Sequence, residues 1–131
     1  MSIRWYSVVV DCHDVVALSR WWADVLDWQV AFAAKDEIVL VPRHASRPAP
    51  GIPPAERGPG LGFIAVPEGK ATKNRLHIDL APSPDAGQEA EVRRLEGLGA
   101  RRADVGQPAT VSWVVMTDPE GNEFCVLSAR D

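Results

Sequence analysis

The sequence predicts an α+β fold made of two copies of one βαβββ unit, and two observations carry that expectation. A strand, an amphipathic helix and three further strands follow one another from residue 3 to 66, and the same order recurs from 75 to 128. Short matched stretches flank the helices. Val10-Asp11 before the first returns as Ile78-Asp79, 68 residues on, and Leu26-Asp27 after it returns as Leu98-Gly99, 72 residues on. A four-stranded sheet with one helix leaves an apolar face uncovered, so burial favours combining two such units. The expected organisation is one domain over 1–131, with unit one at 1–66 and unit two at 73–131.

Taken in order, residues 3–12 are rich in Val, Trp and Tyr and read as a strand, and Asp14 is placed to cap a helix running to Leu26. Leu18, Trp21, Trp22, Val25 and Leu26 share one face of that helix, which makes both tryptophans core residues. Strands are expected at Trp28–Ala33, Glu37–Pro42 and Leu61–Val66, with Lys35-Asp36 turning the chain between the first two. The stretch 43–60 holds five prolines, three glycines and no apolar period, so it is a loop. A lid over a binding site and a disordered insertion both fit it. The second unit reads as a strand from Arg75 to Leu80, a helix from about Pro84 to Leu98 ended by Gly99, and strands near Ala103, at Val111–Thr117 and at Glu123–Ser128. Glu89 and Arg93 stand one turn apart on the polar face of the second helix.

Composition excludes some partners. The 14 basic and 18 acidic residues are scattered and leave a net charge of −4, so there is no basic stripe for a nucleic-acid backbone. The apolar stretch near the N-terminus is too short to span a membrane and has neither the basic region nor the small-residue cleavage site of a signal peptide, so a cytoplasmic protein is expected, with no membrane partner. Cys12 and Cys125 read as small buried thiols and are assigned no chemistry.

Three stretches then carry a family resemblance. They are Val9-Val10-Asp11-Cys12 leading into a Trp-rich helix that ends Val25-Leu26-Asp27-Trp28; Lys73-Asn74-Arg75-Leu76-His77-Ile78-Asp79-Leu80; and Trp113-Val114-Val115-Met116 running through Asp118-Pro119-Glu120-Gly121-Asn122-Glu123-Phe124. Together they resemble the glyoxalase, bleomycin-resistance and extradiol dioxygenase (vicinal oxygen chelate) superfamily, and its glyoxalase-like members in particular. The resemblance implies one curved mixed sheet of about eight strands, with the two helices on its convex face and a cavity inside. It also implies a divalent metal held by residues from the first and fourth strands of each unit, where the ion would polarise adjacent substrate oxygens or activate dioxygen.

Carried over by position, the resemblance marks His77 and Glu123 as the second unit's half of such a metal site, and both have suitable donors. The first unit's half falls on Ser7 and Ile64, where a histidine and a Gln, Glu or His would be required. His13, about 20 Å along an extended strand from Ser7, and His44, in the loop, do not replace them. No divalent metal with more than two side-chain ligands is therefore expected, and no cofactor. If a metal does bind, His77 and Glu123 are its ligands.

Strand alternation groups His77 with Arg75 and Asp79, opposite Leu76, Ile78 and Leu80, and groups Glu123 with Cys125 and Leu127. His77 and Glu123 are accordingly expected to face one cavity. His77 reads equally as a ligand-binding group and as a half-buried histidine of purely structural value. Trp113, Trp5 and Tyr6 are candidates for an aromatic lining, with core packing the favoured reading for any one of them.

The leading expectation is a metal-independent protein that binds a small organic molecule in the cavity, with His77, Glu123, Ser7, Trp113 and Ile64 as candidate contacts. A metal-dependent lyase, isomerase or dioxygenase with atypical ligation is the second reading, and an interaction module with a vestigial pocket is the third. A homodimer is expected, because related proteins pair and because sheet edges and aromatic surface invite a symmetric partner.

Overall fold

The computed structural model describes residues 2–45, 51–53 and 56–130. The chain divides into two compact units, residues 1–69 and 70–131. In the first, β1 (Ser7–Cys12), α1 (Val15–Leu26), β2 (Gln29–Ala33), β3 (Glu37–Val41) and β4 (Gly60–Ala65) follow one another, with a 3-10 turn at Arg43–Ala45. The second repeats the order with β5 (Asp79–Leu80), α2 (Gln88–Gly97), β6 (Arg101–Arg102), β7 (Val114–Thr117) and β8 (Glu123–Val126). Two βαβββ units are thus present.

The strands form two four-stranded sheets, ordered β1-β4-β3-β2 and β5-β8-β7-β6. This corrects the expected single sheet of eight strands, because each unit's ladders close within that unit. In both sheets the first strand lies parallel to the fourth, and the remaining pairs are antiparallel. Consecutive antiparallel strands need only short turns, whereas a parallel pair requires a crossover, which the helix and two intervening strands supply.

Helix α1 forms because Asp14 caps it, its side chain accepting the Ala17 N–H at 3.0 Å. The apolar stripe then packs on β3 and β4, burying Leu18, Trp22 and Val25 together with Ile38, Leu40, Leu61 and Phe63. Trp21 and Trp22 meet edge to face at 5.2 Å. In the second unit α2 packs on β8, and Val92, Leu95, Met116, Phe124 and Val126 are buried.

The matched stretches after each helix have a common physical basis. Asp27 and Gly99 both adopt left-handed backbone, with φ of 53° and 107°. In each case the next residue closes a long bond to the helix, Trp28 N–H to Ala23 O at 3.2 Å and Ala100 N–H to Leu95 O at 3.0 Å. Gly99 N–H also reaches Glu96 O at 3.0 Å, completing a Schellman stop that satisfies two terminal carbonyls of α2. Glu89 and Arg93 pair at 3.8 Å, with Arg102 adding a second cation to the same carboxylate.

Some boundaries move inward. The first strand begins at Ser7, leaving Trp5 and Tyr6 exposed rather than lining a cavity. The strand expected from Arg75 pairs only at Asp79–Leu80, because the chain bends at residues 75–76 and turns Leu76 out to solvent instead of onto the apolar face. The second helix starts at Gln88 rather than Pro84, after a turn over residues 84–86 and Gly87 at φ 80°. The expected strand at Ala103 is instead the pair Arg101–Arg102. Both cysteines are buried thiols. Of the loop at 43–60, residues 46–50 and 54–55 lie outside the described residues, and so does the expected lid or insertion. Among the described residues no helix is long and apolar enough to cross a membrane.

The turn between β7 and β8 is built by Asp118. Its buried carboxylate accepts the backbone N–H groups of Glu120 and Asn122 at 2.9 and 3.0 Å and the Asn122 side-chain amide at 2.9 Å, while Gly121 supplies the left-handed residue. Removing that carboxylate strands several donors at once. Asp118→Ala is therefore expected to lower stability by about 2 to 4 kcal/mol, read by urea denaturation; a loss below about 1 kcal/mol would show that the turn does not depend on it.

Candidate functional site

The side chains on one face of β5, β7 and β8 surround a cavity of about 470 Å³ within the second unit. Trp113, Val105, Val115 and Leu127 supply apolar walls, and Lys73, His77, Asp79, Gln107, Glu123 and Cys125 supply polar ones. The register explains the grouping. Asp79 lies opposite Cys125 in the parallel β5–β8 pair, and residues two apart share a face, so His77 precedes Asp79 and Glu123 precedes Cys125 on the same side. Phe124 and Val126 point the other way and are buried in the core.

Of the residues marked by sequence, the structure brings His77, Glu123 and Trp113 to this cavity. Ser7 and Ile64 lie in the first unit, where Ser7 pairs with Gly60 and Ile64 with Asp11. Neither is among the residues that line the cavity.

His77 and Glu123 have different charged partners. Glu123, 8% exposed, takes the Lys70 ammonium at 2.8 Å on one oxygen and 2.9 Å on the other. The Asn74 N–H approaches both oxygens at 3.3 and 3.4 Å. Burial pushes the Glu123 carboxyl up, but the hydrogen bond from Lys70, the backbone N–H groups of Glu123 and Asn74 and the Lys70 charge outweigh it, and the group titrates below the ordinary glutamate range. His77 sits half-exposed with Nδ1 at 2.7 Å from Asp79 Oδ1. Cys125 Sγ lies 3.9 Å from the same nitrogen. Burial raises the Cys125 thiol above its ordinary range, the Asp79 charge and hydrogen bond raise it further, and Lys73 opposes them weakly. A thiol held up in this way is not an activated nucleophile.

Sequence reasoning missed Lys70 and the roles of Asp79 and Cys125. Alternation had already placed both Asp79 and Cys125 on the cavity side, so the signal was present. Lys70 lies in a non-periodic stretch and left none.

This architecture defines a vicinal oxygen chelate fold. The chain belongs to the glyoxalase-like domain family, whose model matches residues 7–127. Solved structures agree in fold. A mutant of the genomically encoded fosfomycin resistance protein FosX from Listeria monocytogenes, complexed with Mn(II) and 1S,2S-dihydroxypropylphosphonic acid, is similar with a TM-score of 0.71 at 9% identity, over 99% of this chain and 93% of that one. A glyoxalase/bleomycin resistance protein/dioxygenase family enzyme from Burkholderia phytofirmans PsJN gives 0.64 at 18% identity, over 95% and 97%. The oxidase ChaP-H2 gives 0.63 at 17% identity, over 100% and 96%. No curated protein matches the chain significantly in sequence.

The four positions implied for the family's metal are Ser7, Ile64, His77 and Glu123. Ile64 carries no donor atom, Ser7 offers only a neutral hydroxyl, and both oxygens of Glu123 are engaged by Lys70 and Asn74. His77 alone keeps an uncommitted ring nitrogen for such a role.

The Glu123 pairing has a pH signature. Because the folded carboxyl titrates below its unfolded value, its stabilisation is complete above the ordinary glutamate range and is lost as pH falls through the lower folded value. Wild-type stability to urea is expected to fall more steeply between about pH 5 and about pH 3 than that of Glu123→Gln. Parallel curves for the two proteins would refute the pairing.

Proposed function

We propose that this protein binds a small organic molecule in the cavity of its second unit, without the family's four-ligand metal centre, and that the two units work together as one domain. The observation that carries this is the cavity itself. Its volume of about 470 Å³ lies in the range of small-molecule sites, and its composition is theirs, apolar walls with a few convergent polar groups. Trp113 offers an aromatic face for a planar ligand. His77 and Asp79 are half-exposed and accessible to hydrogen bonding, while the Glu123–Lys70 pair stiffens the floor. The similar solved structures support the scaffold, and since one scaffold hosts many chemistries the argument rests on these side chains.

We propose further that the protein acts as a homodimer in the cytoplasm. The thiol state of both buried cysteines suits a reducing compartment. The strand β2 presents Val30 and Phe32 to solvent and, among the described residues, has no strand beyond it in the sheet, which is the kind of surface a symmetric partner covers. Light scattering at micromolar concentration is expected to give the dimer mass, and a monomer would overturn this part.

A thermal-shift screen of planar and polar small molecules is expected to yield ligands that raise the melting temperature. His77→Ala and Trp113→Ala should each weaken binding of such a ligand about ten- to a hundredfold and keep the fold, as circular dichroism would show. Normal binding by both variants, together with earlier unfolding, would make these residues structural instead.

A further inference from the structure

On the cavity wall, three donors of different chemical kinds converge. Cys125 Sγ is 3.9 Å from His77 Nδ1, and His77 Nδ1 is 2.7 Å from Asp79 Oδ1. Asp79 and Cys125 lie opposite one another in the β5–β8 ladder. All three ligand atoms lie within 4.8 Å of one another. We propose that His77, Asp79 and Cys125 form a three-ligand site for a divalent ion of borderline softness, zinc in the first instance, with the fourth position open to the cavity.

The spacing suits the ion. Tetrahedral zinc, with bonds near 2.3 Å to sulfur and near 2.0 to 2.1 Å to nitrogen and oxygen, sets its donors about 3.3 to 3.6 Å apart. The observed 3.9 and 2.7 Å bracket that range, so rotamer adjustments of a few tenths of an ångström bring the set into place. The donor types suit it too. A thiolate selects against magnesium and calcium, and imidazole with carboxylate completes a mixed set that zinc accepts. Thiolate and carboxylate together neutralise the cation. On binding, the Cys125 S–H bond breaks as the sulfur–metal bond forms, and the proton leaves to solvent.

Two other arrangements of these residues fit less well. A nucleophilic cysteine needs the thiol on one ring nitrogen of the histidine and the orienting carboxylate on the other, but here both approach Nδ1. Ligation by His77 and Glu123, with Asp79 merely orienting the imidazole, requires carboxylate oxygens that Lys70 and Asn74 already hold. The site does not rest on the small-molecule reading, because its test uses metal alone.

That test is titration of chelator-treated protein with Co(II). The expected result is a thiolate-to-cobalt charge-transfer band with the intense visible absorption of a four-coordinate ion, saturating at one equivalent and erased by Zn(II). Cys125→Ser should lose the band. Asp79→Asn should weaken cobalt binding by at least about tenfold, the loss already typical of groups that only support a ligand. Cys12→Ser and Glu123→Gln should keep both band and affinity. Since the chain has only two cysteines, the Cys12→Ser protein decides the assignment even if the Cys125 variant does not fold. No band in the wild type, a band lost in Cys12→Ser, or binding lost in Glu123→Gln would each overturn the site.

Discussion

In each unit the first strand must return beside the fourth, and nearly everything else in the structure follows from that parallel pairing. The hairpins linking the second, third and fourth strands form between near neighbours in sequence, but β1 meets β4 only after the helix and two strands have intervened. In the first unit the contact is secure, with six residue pairs from Ser7–Gly60 to Cys12–Ala65. In the second it narrows to Asp79 and Leu80, extended by the Ile78 and Leu80 carbonyls accepting from Cys125 and Leu127 at 2.9 and 2.8 Å. The candidate chemistry hangs on this short ladder. A slip of one residue would turn His77 and Asp79 away from the cavity and bring Ile78 and Leu80 into it.

Electrostatics then divides the polar groups that the ladder assembles. Two carboxylates face one cavity, and each has recruited a cation or a potential cation of its own, Lys70 for Glu123 and His77 for Asp79. The more buried carboxylate has the permanent charge as its partner, as desolvation demands. The more exposed one is left with histidine, whose charge depends on its surroundings. Glu123 is thereby a fixed part of the wall, and His77 and Asp79 remain available to whatever enters.

The two units share a topology and differ in chemistry. Two residues before the facing pair Asp79–Cys125 the second unit carries His77 and Glu123, and two residues before the matching pair Asp11–Ile64 the first carries Val9 and Gly62. Val9 pairs with Gly62, and the strands approach closely there, a β-carbon on Gly62 lying 3.4 Å from Val9. The second unit carries polar side chains at these positions and the first does not, although both have the helix stops and ladders that define the fold.

What the sequence determined alone was the part written in short-range signals. The Asp14 cap, the apolar stripe of α1, the Gly99 stop of α2 and the short matched stretches beside both helices each depend on residues within a few positions of one another, and together they made the doubled unit legible. Strand alternation also sorted His77 and Asp79, and Glu123 and Cys125, onto cavity-facing sides. Tertiary structure decided who pairs with whom. That Lys70 reaches Glu123, that the chain bends at residues 75–76 and leaves β5 two residues long, that Asp79 rather than Glu123 holds His77, and that the ladders close as two sheets rather than one all depend on contacts between distant segments. Those contacts are chosen by competition for burial and charge in the folded chain, and no local pattern of side chains encodes the outcome.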